Sequence, residues 1–412
     1  MTAGLSAVAA MLQGRGAAIH RKTNLQRTCS HAETLTRLEP NIKRAGITRV
    51  ADVTGLDRIG IPVVMVVRPN SRSLSVSQGK GATLTGAKVA GLMESLETFH
   101  AERITHPVIL TRYMELCERA DVVDPASIPT VRASRFHVNL PIPWVSGLDL
   151  IQGTPIFVPL EIVHTDFTIP RFPSSGCFLA NTNGLAAGNS YLEAVNQGIC
   201  EVIERDAVTL WNSAGRRTGS RIDLETIDDP AVQSLISQIQ EARCRIVIQE
   251  ITSDVGVPVF CATLFDDCAS SKSSIPAAGG SGCHPDRVIA CSRAILEAVQ
   301  SRLTRIVGSR DDLTPRWFQS IPRDGRAFKN AQEMNAKGFS DVPNFVHEFL
   351  EEDLEFLVER LIGAGLKRII AVDLTKPEFG IPVVRVVIPG LEGPSQQAGY
   401  IPGARAARAD AC

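Results

Sequence analysis

Glu193, Gln197, Glu201 and Glu204 recur at helical spacing and fall within about a quarter of a 3.6-residue wheel, with Arg205 at the edge of the strip. Three carboxylates on one strip repel one another, and the repulsion grows as water is removed unless a cation offsets it. The flanks are apolar, with Ile199, Ile203, Leu210 and Trp211 on one side and Val202 on the other. Such a half-buried acidic strip suits Mg2+, which takes carboxylate and phosphate oxygens. Glu94 and Glu97 form a second pair at i, i+3, beside the small residues Ala90 and Ala101. Arg293, Glu297, Gln300 and Thr304 form a third stripe, and Arg302 lies off it. Each stripe taken singly could also be the solvated face of an ordinary amphipathic helix.

The elements that would position these stripes are three helical segments, each preceded by a glycine-rich loop. The loops are Ser77-Gln78-Gly79-Lys80-Gly81, residues 181–189 and residues 277–282. Glycine loops and helix N-termini expose backbone N–H groups to phosphate, and Lys80 can reach one. No GxxxxGK[ST] is present, and no GxGxxG opens a helix after a strand, which disfavours a P-loop or a Rossmann site. Residues 46–69 and 369–390 read as strands and share the text G-I-P-V-V followed by a strand with an arginine, Arg68 or Arg385. The similarity predicts that both ends of the chain feed one sheet system in one intertwined domain. Residues 309–345 read as a polar surface excursion, and residues 346–364 as an amphipathic helix with a solvated acidic face.

Composition narrows the function class. The chain has 412 residues, 44% of them hydrophobic, with 43 Lys+Arg against 44 Asp+Glu. That is enough for a large core and leaves no basic excess for a nucleic-acid backbone. No apolar run reaches the roughly 18 residues a membrane helix needs, and the first residues lack a secretory pattern, so a cytoplasmic protein is expected. The ten cysteines form no CxxC pair, which argues against a zinc ribbon or a redox site.

The segments SQGKGATLTGAKVAGLMESLETFHAE (77–102), NTNGLAAGNSYLEAVNQGICEVIERDA (181–207), GSGCHPDRVIACSRAILEAVQSR (280–302) and VDLTKPEFGIPVVRVVIPGLE (372–392) together resemble the YcaO family. So does the upstream text 46–75. The resemblance implies an α+β fold, a single large YcaO-type domain with mixed or antiparallel sheets and helices forming a non-classical ATP site. It spans 46–392, with an N-terminal extension at 1–45 and a flexible tail at 393–412. It implies ATP and Mg2+ as cofactors, with Glu94, Glu97, Glu201, Glu204 and Glu297 holding the metal. It places Arg68, Ser77, Lys80, Arg205, Gln300 and Arg302 at the nucleotide beside those carboxylates, and the helical stripes add Glu193, Gln197 and Arg293 as candidate nucleotide contacts. The pattern G-x-G-x-H adds His284 to Arg205 and Arg385 as catalytic residues.

YcaO proteins use ATP to activate a peptide backbone amide. Here the first helix lacks an arginine after Glu97 and ends His100-Ala101-Glu102, and the chain end is not proline-rich. Both features favour thioamide formation on a ribosomally made peptide or protein, with a TfuA-type or leader-binding partner; a homodimer is allowed. The alternatives are an azoline-forming cyclodehydratase and a silent ATP-binding scaffold.

Overall fold

The computed structural model describes residues 20–23, 27–171, 175–216, 218–266, 275–310, 312 and 334–410. The expectations for residues 1–19, and most of the excursion expected at 309–345, lie outside these. In chain order the elements begin α1 (His31–Arg44), β1 (Arg49–Asp52), β2 (Val63–Val67), β3 (Val76–Lys80) and α2 (Leu84–Ala101). They continue with β4 (Val108–Thr111), α3 (Tyr113–Cys117), β5 (Ile142–Asp149), β6 (Thr154–Pro159), β7 (Leu185–Ala187) and α4 (Tyr191–Ser213). Then come β8 (Ser220–Ile222), α5 (Pro230–Glu241), β9 (Cys244–Glu250), β10 (Val259–Asp266), β11 (Ala278–Cys283), α6 (Arg287–Val307) and β12 (Ala336–Lys337). The last are α7 (Leu350–Gly363), β13 (Ile370–Asp373), β14 (Val383–Val387) and α8 (Ala404–Asp410).

These elements form two compact units, each drawn from separated stretches of chain. One comprises Met1–Ser30, Leu96–Arg216 and His347–Cys412; the other comprises His31–Ser95 and Arg217–Val346. The boundary between them falls inside α2, after Ser95. The second unit holds the sheet β1-β2-β3 and the sheet β11-β10-β9-β8-β12, which is antiparallel except where β12 joins β8. Its core runs through Val63, Met65, Ile248, Phe260, Ala294, Ile295 and Phe339, all buried. The first unit holds the antiparallel sheet β4-β5-β13-β14-β7, with β6 on β5.

The repeated text folds twice in the same way. In β1–β2, Asp52 accepts from the Thr54 N–H, and the Thr54 hydroxyl oxygen accepts from the Val63 N–H at 3.1 Å. In β13–β14, Asp373 accepts from the Thr375 N–H, and the Thr375 hydroxyl oxygen accepts from the Val383 N–H at 3.1 Å. Each turn is an Asx-type device that starts a hairpin. The two hairpins lie in different sheets, which corrects the expectation of one sheet system. The arginines are not equivalent either: counted from Val63 and Val383, Arg385 falls at the position of Met65, whereas Arg68 lies beyond β2.

Two of the three glycine-rich loops are strands. Gly79 lies in β3, and Gly279, Gly280 and Gly282 lie in β11. A Cβ on Gly79 would meet the Ala87 carbonyl oxygen at 1.9 Å, and one on Gly280 would meet the Ala298 nitrogen at 2.2 Å. These glycines let a helix lie directly on a strand, so the phosphate-cradle reading is replaced by a packing one. The expected flexible tail is also corrected. Residues 392–406 are lashed to α4: Arg405 pairs with the buried Asp206 at 2.9 Å, and Glu392 accepts from the Tyr400 hydroxyl and the Gly403 and Ala406 amides.

Candidate active site

In the unit built on α6, Gln78 of β3 organises the polar groups. Its N–H donates to Glu94 at 3.3 Å, its carbonyl accepts from Gln300 Nε2 at 2.9 Å, and its Oε1 accepts from the Thr304 hydroxyl. Lys80 ends the same strand and pairs with Glu297 at 2.9 Å. Burial pushes the Glu94 carboxyl above its usual range; the charges of Arg310 and Lys80 pull it back, and Glu297 pushes it further up. A carboxylate held this way gains from a nearby cation. Ser77 is buried on β3, and Arg68 donates to the Ser71 hydroxyl at 3.0 Å. Arg293 donates to the Cys283 carbonyl at 3.1 Å. His284 Nδ1 accepts the Asp286 N–H at 3.0 Å, so the ring is neutral and carries its proton on Nε2.

In the other unit, α4 lies against β14 and β7. Glu97 accepts the Ala187 N–H at 2.7 Å, which fixes its carboxylate. Arg205 pairs with Glu204 at 3.4 Å. Gln197 Oε1 is buried with no hydrogen-bond partner. Arg385 of β14 is 2% exposed, and only its Nη2 is engaged, donating to Asn181 Oδ1 at 3.2 Å. Its Nε and Nη1 are buried and have no partner. Burial lowers this guanidinium to about 10, against the pull of the Glu201 carboxylate. Unspent donors on a buried cation call for an anion, and the acidic strip calls for a cation. Mg2+ carried in with a nucleotide would supply the cation. Among the described residues no three His, Cys, Asp or Glu side chains are gathered closely enough to hold a metal by themselves.

The family described as YcaO cyclodehydratase, ATP- and Mg2+-binding, matches residues 78–392. A Rhizobium leguminosarum bv. trifolii protein from the tfuA 3′ region is 36% identical over 379 residues, 89% of this chain and 88% of that one. A Methanothermobacter thermautotrophicus protein is 32% identical over 383 residues, 88% of this chain and 94% of that one. The chain belongs to the YcaO family. The structure of YcaO from Methanopyrus kandleri bound with AMPPCP and Mg2+ superimposes with a TM-score of 0.70 at 26% identity, covering 92% of this chain and 96% of that one. A heterocyclase in complex with substrate and cofactor gives 0.77 at 22% identity, covering 93% of this chain and 56% of that one, a likeness of fold alone. ATP and Mg2+ are thus the cofactors of the family to which this chain belongs.

Two residues expected at the nucleotide are already spent on the fold. Arg302 is fully buried, with Asp57 and Asp266 each at 2.9 Å from its guanidinium nitrogens. Glu193 accepts from Arg27 at 3.0 Å, from the Thr28 N–H and hydroxyl, and from Asn189, so it anchors the start of α4. Gln78, Arg310, Asn181, Asn183 and His164 also stand among these groups, although none lies in a polar helical stripe. His164 is buried, accepts the Asp166 N–H on Nδ1 at 3.1 Å, and is held below its ordinary pKa by burial, with the Arg385 and Arg171 charges adding to the effect and Asp166 opposing it. The text N-T-N-G at 181–184, a turn beside a motif helix, was the available signal for the asparagines.

Proposed function

We propose that this YcaO protein activates a peptide backbone amide with ATP and that external sulfide replaces the amide oxygen, giving a thioamide. The observation that carries amide activation is the buried Arg385 with two unspent donors. The support for sulfur is the 36% identity to a protein from the tfuA 3′ region, which also motivates a TfuA-type partner. The substrate is then a ribosomally made peptide or protein.

An amide oxygen is a poor leaving group, and bound ATP supplies the phosphoryl group that makes it a good one. Arg385 offsets charge that develops on that oxygen as the nucleophile adds. Glu94, Glu97, Glu201, Glu204 and Glu297 are the residues that would hold Mg2+, two of them pre-oriented by the Gln78 and Ala187 amides. Lys80, Arg205, Arg293, Gln300 and the neighbouring Arg68 and Ser77 would hold the nucleotide; Gln197 supplies an unpaired acceptor beside Glu201. His284 presents a neutral Nε2–H donor.

Cyclodehydration is the second reading, favoured by the family's own description. Mass spectrometry of the peptide product separates the two: an oxygen-to-sulfur exchange supports thioamidation, and the loss of one water overturns it. Glu201→Gln is expected to abolish ATP-dependent modification and leave the melting curve unchanged. Retained turnover would sink the metal-ligand assignment. If ATP binds but no phosphate is released with any partner and peptide, the protein is a scaffold.

A further inference from the structure

The unit built on α4 contains both unspent donors, on β14, and an unspent acceptor, on the turn that leads into its neighbour β7. Arg385 Nε and Nη1 are the donors, and Asn183 Oδ1, also buried, is the acceptor. They are joined through Asn181, whose Oδ1 accepts both Arg385 Nη2 at 3.2 Å and the Asn183 N–H at 2.9 Å. The Nδ2 of Asn181 donates to Gln397 Oε1 at 3.0 Å, and Gln397 Nε2 donates to the Ala180 carbonyl. The side chain of Asn181 is therefore committed on both its oxygen and its nitrogen and does not serve the unpaired atoms.

The turn that carries Asn183 is held in place. Leu185 is the cross-strand neighbour of Arg385, and Val386 N–H donates to the Gly184 carbonyl at 2.7 Å. Gly184 has φ +78°, and a Cβ there would meet the Val386 carbonyl oxygen at 2.3 Å. Gly198 of α4 closes the other side, where a Cβ would meet Val386 Cγ2 at 2.7 Å and the Gly184 oxygen at 3.1 Å. A buried acceptor on so fixed a turn costs stability unless something donates to it.

Ionised phosphate would satisfy the guanidinium but offers no hydrogen to Asn183. A peptide bond offers both an acceptor oxygen and a donor N–H. In a trans amide these point in opposite directions, which suits a donor and an acceptor carried on two different segments. We propose that Arg385 and Asn183 together recognise the peptide bond that is activated: Arg385 donates to its oxygen and Asn183 Oδ1 accepts its N–H. This rests on the amide-activation reading of the same site.

The test uses the full chain with Mg-ATP, sodium sulfide as the nucleophile, a hexaglycine peptide blocked at both ends, and its hexasarcosine analogue, in which every N–H is methylated. The readout is peptide-stimulated phosphate release. Glycine peptide is expected to outperform the sarcosine peptide by about tenfold, the worth of one such hydrogen bond. Asn183→Leu should erase that ratio, while Asn183→Asp, which keeps an acceptor oxygen on the turn, should preserve it and guard against a folding defect. Equal response of the wild type to both peptides, no response to either, or a ratio that survives in Asn183→Leu overturns the proposal. Release that does not change in Glu201→Gln sinks the underlying reading instead.

Discussion

Arg385 costs the folded chain stability as long as Nε and Nη1 face no acceptor. Arg385→Met keeps the aliphatic stem and removes the desolvated charge. It is expected to leave the ligand-free protein as stable or up to about 2 kcal/mol more stable, while kcat/KM falls at least 100-fold. Urea unfolding beside steady-state kinetics checks both arms; a strongly destabilised variant would mean that the fold needs the charge. His100 makes a different residue-scale case. Its Nδ1–H donates to the Leu96 carbonyl at 2.7 Å, it is packed edge-on against Phe379, and burial lowers its pKa to about 4. The unfolded chain takes up this proton below about 6.5, whereas the folded chain resists until about 4. The contribution is therefore intact above pH 6.5 and is lost as pH falls through that window, by on the order of 3 kcal/mol. Unfolding midpoints at pH 7 and pH 4.5 should converge in His100→Gln relative to the wild type.

At the scale of elements, α4 is held from three sides within its unit. β14 meets it through the glycine contact at Gly198, α7 binds it where Asn196 Nδ2 donates to the Leu350 carbonyl at 2.8 Å, and α8 binds it through Arg405. Asp206 is fully buried, so Arg405→Met leaves a carboxylate with its main partner gone. The expected cost is about 3–5 kcal/mol, whereas Asp206→Leu combined with Arg405→Met should cost clearly less, measured as a double-mutant cycle in urea. Equal costs would mean that α8 is only loosely docked. Gly198→Val would drive a side chain into Val386, and a loss of about 1–3 kcal/mol is expected from overpacking.

For the whole molecule, the acidic strip predicts linkage between stability and ligand. Mg2+ with AMPPCP should raise the melting temperature, by the equivalent of about 2.7 kcal/mol at a hundredfold excess over Kd. Omission of Mg2+, or Glu94→Gln with Glu201→Gln, should remove most of the shift. An undiminished shift without metal would overturn the carboxylate assignment. Among the described residues no helix is long and apolar enough to cross a membrane.

The sequence by itself determined the three polar stripes, the helices that carry them and the family, because helical periodicity and long ordered motifs are local properties of the chain. It also showed the repeated G-I-P-V-V hairpin text. Only the tertiary structure decided that the two hairpins lie in separate sheets, since strand pairing is non-local and the same text can be used twice. Likewise, only burial and partners distinguish Arg302, saturated by two aspartates, from Arg385, left with donors to spend; the two look alike in sequence. The glycines at 79 and 280 read as phosphate loops until the helix backbone, about 2 Å from where a Cβ would sit, showed what they make room for. Asn183 and Gln397 carried no periodic signal at all, because their roles depend on where a turn and a tail meet β14.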